Sequence, residues 1–270
     1  MNYSLSNMLG GGMVAGLDPD AKAYVNAVIA TGISVTSTQR NAINDFIKAE
    51  KDASRYASIK RLYLPIWGTA AANAIDMVTR ASGTFVNSPT HGAGFVQGNG
   101  STSYFDTGVN WKSLGLSESD ATIGTINYTG NGGPNQTSIG VGEAIATGLR
   151  VSSQNSPLLP QCSWAGAGIV RGAIGTSGIQ MASRKSGATT MIRRAAGGIT
   201  SDTNAGAVTG TVINRSILVM ANGALGLANQ YSTAQIGGSY IGAGLDLAAL
   251  TAFSLNWRTL WETCTGLTLP

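Results

Sequence analysis

Charge is scarce in this 270-residue chain: Asp, Glu, Lys and Arg together make up 11%, against roughly 25% in an average soluble domain. Acids number 13 and bases 17. The bases are scattered apart from the pairs Lys60-Arg61, Arg184-Lys185 and Arg193-Arg194. Nucleic-acid binding calls for a dense basic stripe interleaved with stacking aromatics, and none is present. There is one histidine and there are two cysteines, Cys162 and Cys264, far apart and outside any CxxC. That excludes the spacing of a zinc site and leaves two readings of the thiols: a disulfide, or two free buried groups. No stretch of about 18 apolar residues occurs, so no membrane-spanning helix is expected. Residues 1–16 lack a basic n-region and a continuous apolar core, so no secretory signal is expected either.

Glycine and the apolar residues are abundant. Glycine supplies 37 positions without a Gly-X-Y period, and 43% of the chain is hydrophobic. This is the composition of turn-rich β structure with a real core, not of collagen or a disordered tract. With so few charges the solvent face must be built from Ser, Thr, Asn, Gln and Gly, which suits permanent assemblies or sugar contacts.

The periodicity divides the chain into three parts: residues 1–16, 17–66 and 67–270. The first holds Leu5, Met8, Leu9 and Met13 around Gly10-Gly11-Gly12. It is too short to hold a helix alone and reads either as a frayed end or as an arm that orders by docking on a neighbour. In the second, Asp18-Pro19-Asp20 supplies a cap, a proline at the first helical position and an acid in the first turn. Ala21, Tyr24, Val25, Val28 and Ile29 then follow a 3.6-residue period up to Gly32. A second helix is predicted from Thr36 or Ser37, with Ala42, Ile43, Phe46 and Ile47 on one face. A third is predicted over about 55–63, carrying Ile59, Leu62 and Tyr63.

From Trp67 onward short strands are predicted at 93–97, 104–107, 122–128, 137–141, 145–152, 169–174, 179–184, 189–194, 216–221 and 234–242. Their spacing fits a two-sheet sandwich. The segment 92–107 reads as a Gly98-Asn99-Gly100 turn between Phe95-Val96 and Tyr104-Phe105, the first strand pair of the sandwich. Residues 179–184 and 189–194 read as a hairpin. Residues 246–263 return to helical spacing, with Trp257 and Trp261 docking a terminal helix.

The order of these elements resembles a known family arrangement. Gly98-Asn99-Gly100-Ser101-Thr102-Ser103-Tyr104-Phe105-Asp106-Thr107-Gly108 is similar to the early strand of concanavalin-like (laminin-G-like) jelly-roll sandwiches. The runs 182–184 and 191–197 resemble their middle hairpin, and 234–245 their closing strand. The segments 17–24, 38–43 and 60–68 resemble a module that precedes such sandwiches in structural proteins of tailed phages. The resemblance implies a mainly β chain: an antiparallel jelly-roll sandwich behind a small helical module and an N-terminal arm. It implies a virion protein without enzyme activity, either a tail-fibre or tail-tip component or a capsid decoration (head fibre), held to other virion proteins by the arm and helices. A homo-oligomer, taken as a trimer, fits that role.

No catalytic residue, cofactor or metal is assigned from the sequence. His91, in Pro-Thr-His-Gly, reads as a surface-loop residue. Gly175-Thr176-Ser177-Gly178-Ile179 lacks the final glycine of a nucleophile elbow, and Gly140-Val141-Gly142 lacks the third glycine and the helix of a dinucleotide loop. The acids after residue 85 (Asp106, Glu118, Asp120, Glu143, Asp202, Asp246 and Glu262) are dispersed, which disfavours a glycosidase pair. Glu118-x-Asp120 is the only near pair and reads as a solvated loop. A sugar presents an apolar face ringed by hydroxyls, so a sugar site needs an aromatic platform beside amides. Trp111, Tyr128, Trp164 and Tyr231 are the candidates, whereas Trp67, Trp257 and Trp261 read as core or interface. A host-glycan-binding module is therefore the second functional reading, and a polysaccharide-degrading enzyme the third.

Overall fold

The computed structural model describes residues 16–130, 132, 136–142, 149–153, 160–164, 169–171, 177–185, 187–204, 215–224 and 227–270. In chain order, two helices open the fold, α1 (Pro19–Ala30) and α2 (Ser37–Asp52), followed by strand β1 (Ile59–Tyr63) and a one-turn helix α3 (Ala70–Asn73). Next come β2 (Thr84–Val86), β3 (Thr90–Gly92), β4 (Phe95–Gln97), β5 (Tyr104–Asn110), β6 (Ala121–Asn127) and β7 (Thr137–Val141). They are followed by β8 (Leu149–Ser153), β9 (Pro160–Trp164), β10 (Ile169–Arg171), β11 (Gly178–Lys185), β12 (Ala188–Ala195) and β13 (Gly198–Asn204). The last elements are β14 (Ser216–Val219), β15 (Asn222–Ala224), β16 (Leu227–Asn229), β17 (Gln235–Gly242) and α4 (Leu247–Thr265). The chain is mainly β, with two sheets and a few helices.

One sheet of eight strands runs β13-β12-β11-β6-β17-β4-β3, with β1 also paired to β17; the other, of nine, runs β10-β9-β8-β7-β14-β5-β2, with β15 and β16 attached beside β7. Strand alternation assigns the faces. Ala121, Ile123, Ala182, Met191 and Ile241 of the first sheet share a buried cluster with Phe105, Ile139, Val141, Leu149, Val151, Ile217 and Val219 of the second. Their neighbours Ile126, Ile179, Met181, Ile192 and Tyr240 point the other way, into a cluster with α1, α2 and α4. The order through the molecule is thus helices, eight-stranded sheet, nine-stranded sheet.

The helices form for the local reasons their sequences give. Asp18 accepts from Asp20 N at the start of α1, and Gly32 takes φ +89 just after it. At α2 the Thr36 hydroxyl accepts from Gln39 N (3.2 Å) while the Gln39 amide oxygen accepts from Thr36 N (3.0 Å), a reciprocal capping box. Asp246 accepts from Ala249 N at α4, and Gly266 closes it at φ +70. Trp257 and Trp261 are fully buried, as the sequence implies. They lie on Gly238 and Gly237, where a Cβ would come within 2.8 Å and 2.4 Å of the indole rings.

Three expectations are corrected. Residues 59–63 form strand β1, not helix: Leu62 N donates to the buried Asp76 carboxylate (2.8 Å), and Leu62 and Tyr63 pair with Tyr240 and Ser239. Only Tyr56–Ser58 makes a helical turn, of the 3-10 type. The runs flanking Gly98-Asn99-Gly100 are not a strand pair. β4 belongs to the eight-stranded sheet and β5 to the nine-stranded one, so this turn carries the chain from one layer to the other. Asn99 organises it, its Oδ1 accepting from Ser101 N, Thr102 N and Ser103 N at 2.8–3.0 Å. His91 lies in β3, half-buried, rather than in a surface loop.

The hairpin of β11 and β12 forms as expected, in register from Ile179↔Arg194 to Lys185↔Ala188. Two of its bases serve the fold. Arg184 donates to Thr189 and the Gly187 carbonyl, and Arg194 to Ser254 and the Thr251 carbonyl. Cys264 is a free, buried thiol, and burial pushes it up to about 12. The Cys162 side chain lies outside the described residues, as does the whole segment carrying Leu5, Met8, Leu9 and Met13. Among the described residues no helix is long and apolar enough to cross a membrane.

Candidate functional site

Strand β5 alternates: Phe105 and Thr107 are buried, while Tyr104 and Asp106 point to the opposite, outer face of the nine-stranded sheet. Strand β14 lies beside it with Leu218 opposite Asp106, and turns Ile217 and Val219 inward. Ser216 and Leu218 therefore share the outer face with Tyr104 and Asp106. The β15–β16 ribbon, where Gly223 faces Ala228, closes one side. Together with Arg215 these residues line a cleft of about 320 Å³, on the side of the sandwich away from the helices.

The cleft combines three kinds of group. Tyr104 and Tyr231 form an aromatic pair, with ring centroids 6.2 Å apart and planes tilted by 45°. The Tyr231 hydroxyl donates to the Ala228 carbonyl (2.8 Å), which fixes its ring at the ribbon. Asp106 Oδ1 accepts from Gly108 N (2.8 Å), which orients the carboxylate. Burial first, then the nearby Asp106 carboxylate, raises the Tyr104 pKa, so the phenol keeps its proton and can donate. Arg215 adds a cationic fork. Aromatic faces beside a carboxylate and a guanidinium can hold a polyol: C–H faces on the rings, hydroxyls on the charged groups.

Of the aromatics singled out by sequence whose side chains are described, Tyr231 alone lies near this cleft, through its ring contact with Tyr104. Trp111 corrects its expectation: it is fully buried in the core between the sheets and presents no platform. Tyr128 is half-buried on the helix side of the other sheet, 5.4 Å from Trp261. Trp164 ends β9, and its side chain lies outside the described residues. Tyr104, Asp106 and Arg215 were not singled out. The alternation around Phe105 and Thr107 could have placed the first two on one outer face, but nothing local brings Arg215 beside them.

Three of the other acids have structural work. Asp120 accepts from Gly244 N (2.8 Å), Asp246 caps α4, and Glu262 accepts from Arg258 and from Leu269 N. Glu143 lies outside the described residues. Among the described residues no group of three or more His, Cys, Asp or Glu is placed to hold a metal.

His91, the only histidine, is held by Asn73. The Asn73 amide oxygen accepts from Trp67 N (2.8 Å), so its nitrogen donates to His91 Nδ1 (3.0 Å) and the neutral ring carries its proton on Nε2. Phe85 packs edge-on at 4.5 Å. Burial lowers the His91 pKa. A depressed folded-state value means that its contribution to stability is complete above the unfolded value of about 6.5 and is lost as pH falls through the folded one. Protonated Nδ1 would face the Asn73 N–H. Denaturant midpoints are therefore expected to fall more for the native chain than for His91→Gln as pH drops from about 7 to 5. Parallel profiles would remove His91 from the balance.

No family model matches the chain, and no curated protein matches it. Solved structures do. One is domain 4 of AbnA, a GH43 extracellular arabinanase from Geobacillus stearothermophilus, in complex with arabinotriose. It is 15% identical with a TM-score of 0.45, over 73% of this chain and 98% of that one. Another is the enzymatically active domain of bacteriophage CBA120 tailspike protein 2, 10% identical with a TM-score of 0.35. That match takes in 69% of this chain and only 30% of the tailspike chain. The expectation of a chain without enzyme activity is withdrawn beside these neighbours, since one belongs to an arabinanase and the other is itself enzymatically active. At such TM-scores neither likeness assigns this chain a reaction.

Proposed function

We propose that the protein is a glycan-binding component of a tailed-phage particle, with its sugar site in the Tyr104–Asp106–Arg215 cleft. The cleft is the observation that carries this reading. Its volume of about 320 Å³ suits one or two sugar rings, and its lining sets the Tyr104 ring, backed by Tyr231, beside groups of both charges. The order of sequence segments that resemble those of phage structural proteins supports the particle. In this reading the β part is a jelly-roll sandwich. Residues 1–16 and 17–66 dock on other virion proteins, and several copies, three in the simplest case, present their clefts outward as a tail fibre, tail tip or head decoration. The side of the cleft agrees with that polarity, because the helices lie against the opposite sheet.

The test is titration of the purified chain with oligosaccharides released from bacterial surface polysaccharide. Tyr104→Ala and Asp106→Asn are each expected to weaken binding roughly tenfold, the size of one lost aromatic contact or one charge-assisted hydrogen bond. Both positions lie on an outer face, so the fold should survive. Binding unaffected by either change, or absent for every polysaccharide offered, would overturn the reading. The same samples, assayed for new reducing ends, separate binding from cleavage.

A further inference from the structure

A second surface, on the opposite sheet, has sugar-binding chemistry of a different kind. On β4, Val96 points into the core between the sheets, so Phe95 and Gln97 face the helix side. Gln235 of β17 is paired with Gln97, and Tyr128, just past β6, donates its N–H to the Gln235 carbonyl (2.8 Å). Gln97, Gln235 and Tyr128 therefore run side by side across three adjacent chain segments at the rim of the sheet, next to the C-terminal end of α4.

The rings of Phe95 and Tyr128 lie in nearly parallel planes, 17° apart, with centroids separated by 6.5 Å. Both are half-buried, Tyr128 against the helix-side core and Phe95 over Gly92, where a Cβ would come within 2.4 Å of the ring. Trp261 buttresses Tyr128 and the backbone just before Phe95. Its indole lies on Gly237, where a Cβ would come within 2.4 Å, donates to the Gly94 carbonyl (2.9 Å), and packs 5.4 Å from Tyr128. The amides are ordered in turn. Gln235 Nε2 donates to Gln97 Oε1 (3.3 Å) and Gln97 Nε2 to the Thr233 carbonyl (3.1 Å), while the Thr129 hydroxyl accepts from Gln235 N (3.0 Å). None of these side chains carries a charge.

We infer that Phe95 and Tyr128, edged by Gln97, Gln235 and Thr129, form a second binding site, for a neutral saccharide chain. Two near-parallel aromatic rings can take the C–H face of a sugar ring, and oriented amides and a hydroxyl match its hydroxyl groups. The absence of charge sets its ligand apart from that of the outer cleft, which Asp106 and Arg215 line. The inference does not depend on the outer cleft, which lies on the other sheet.

Titration of the full chain with cellohexaose, maltohexaose and chitohexaose, followed by calorimetry, tests it. At least one is expected to bind, with Phe95→Ala and Tyr128→Ala each weakening it roughly tenfold. Tyr128 also supports Trp261, so its variant could lose structure. Gln235→Leu keeps the volume, removes the amide, and is expected to weaken binding a few-fold. Tyr104→Ala in the outer cleft should leave this affinity unchanged. Failure of all three sugars to bind at millimolar concentration would overturn the inference, as would binding lost in Tyr104→Ala but kept in Gln235→Leu. The first result would not touch the proposed function of the outer cleft, and the second would support it.

Discussion

Phe253→Ala is expected to lower the unfolding free energy by about 4 kcal/mol, within the range for truncating a fully buried aromatic side chain. Phe253 has no exposed surface. It touches three parts of the fold at once: Phe46 of α2 edge-on at 5.9 Å, Tyr240 of β17 at 4.7 Å, and Trp257 one turn along α4 at 5.8 Å. Removing it opens a cavity where the helix layer meets the eight-stranded sheet, and the flanking rings are held by their own strands and helices. Leu255→Ala is the control. It lies two residues away on the same helix but is 49% exposed, so its cost should stay within about 0.5 kcal/mol. Urea unfolding followed by tryptophan fluorescence gives both values. Equal costs for the two variants would mean that α4 is not part of the folding core. Two separated transitions would mean that α1 and α2 unfold apart from the sheets.

That packing also shows where the sequence was readable. Strand β7 falls on the bounds expected, 137–141, and α2 starts after the Thr36 cap that its sequence advertises, because alternation and capping are local. Residues 59–63 misled because Ile59, Leu62 and Tyr63 also fit helical spacing. What decides their conformation is distant: the Asp76 carboxylate on Leu62 N and the free edge of β17. The Gly98-Asn99-Gly100 turn was recognised as a turn, yet its flanking strands enter different sheets. Local sequence sets the bend, while partner choice depends on β14 and β17, more than a hundred residues downstream. The outer cleft follows the same rule. Tyr104 and Asp106 share a face by alternation, but Arg215 and Tyr231 reach them only through sheet topology. Trp111, singled out for its size beside a loop, is drawn inward by the same apolarity that made it conspicuous.

Arg55→Ala should be nearly as costly as the loss of Phe253, about 3 kcal/mol, because it strands a buried charge. Glu50, on the last turn of α2, has no exposed side-chain surface. Arg55 meets it with a two-pronged contact, Nε to Oε2 at 2.8 Å and Nη2 to Oε1 at 2.9 Å, and Asn256 of α4 donates to Oε1 at 2.7 Å. The same contact, ahead of the opposing effect of burial, raises the Arg55 pKa. With the guanidinium gone, one amide cannot satisfy the carboxylate, and water reaches it poorly between two packed helices. The cost therefore belongs to the unpaired charge more than to the pair. Glu50→Gln placed in the Arg55→Ala background separates the two: a neutral amide still accepts from Asn256 and leaves no charge behind. The double variant is expected to be more stable than Arg55→Ala alone, by roughly 1–2 kcal/mol after the loss of charge-assisted hydrogen bonding. A double variant no more stable than Arg55→Ala would mean that the arginine stabilises through the packing of its stem over α2, with the buried carboxylate secondary.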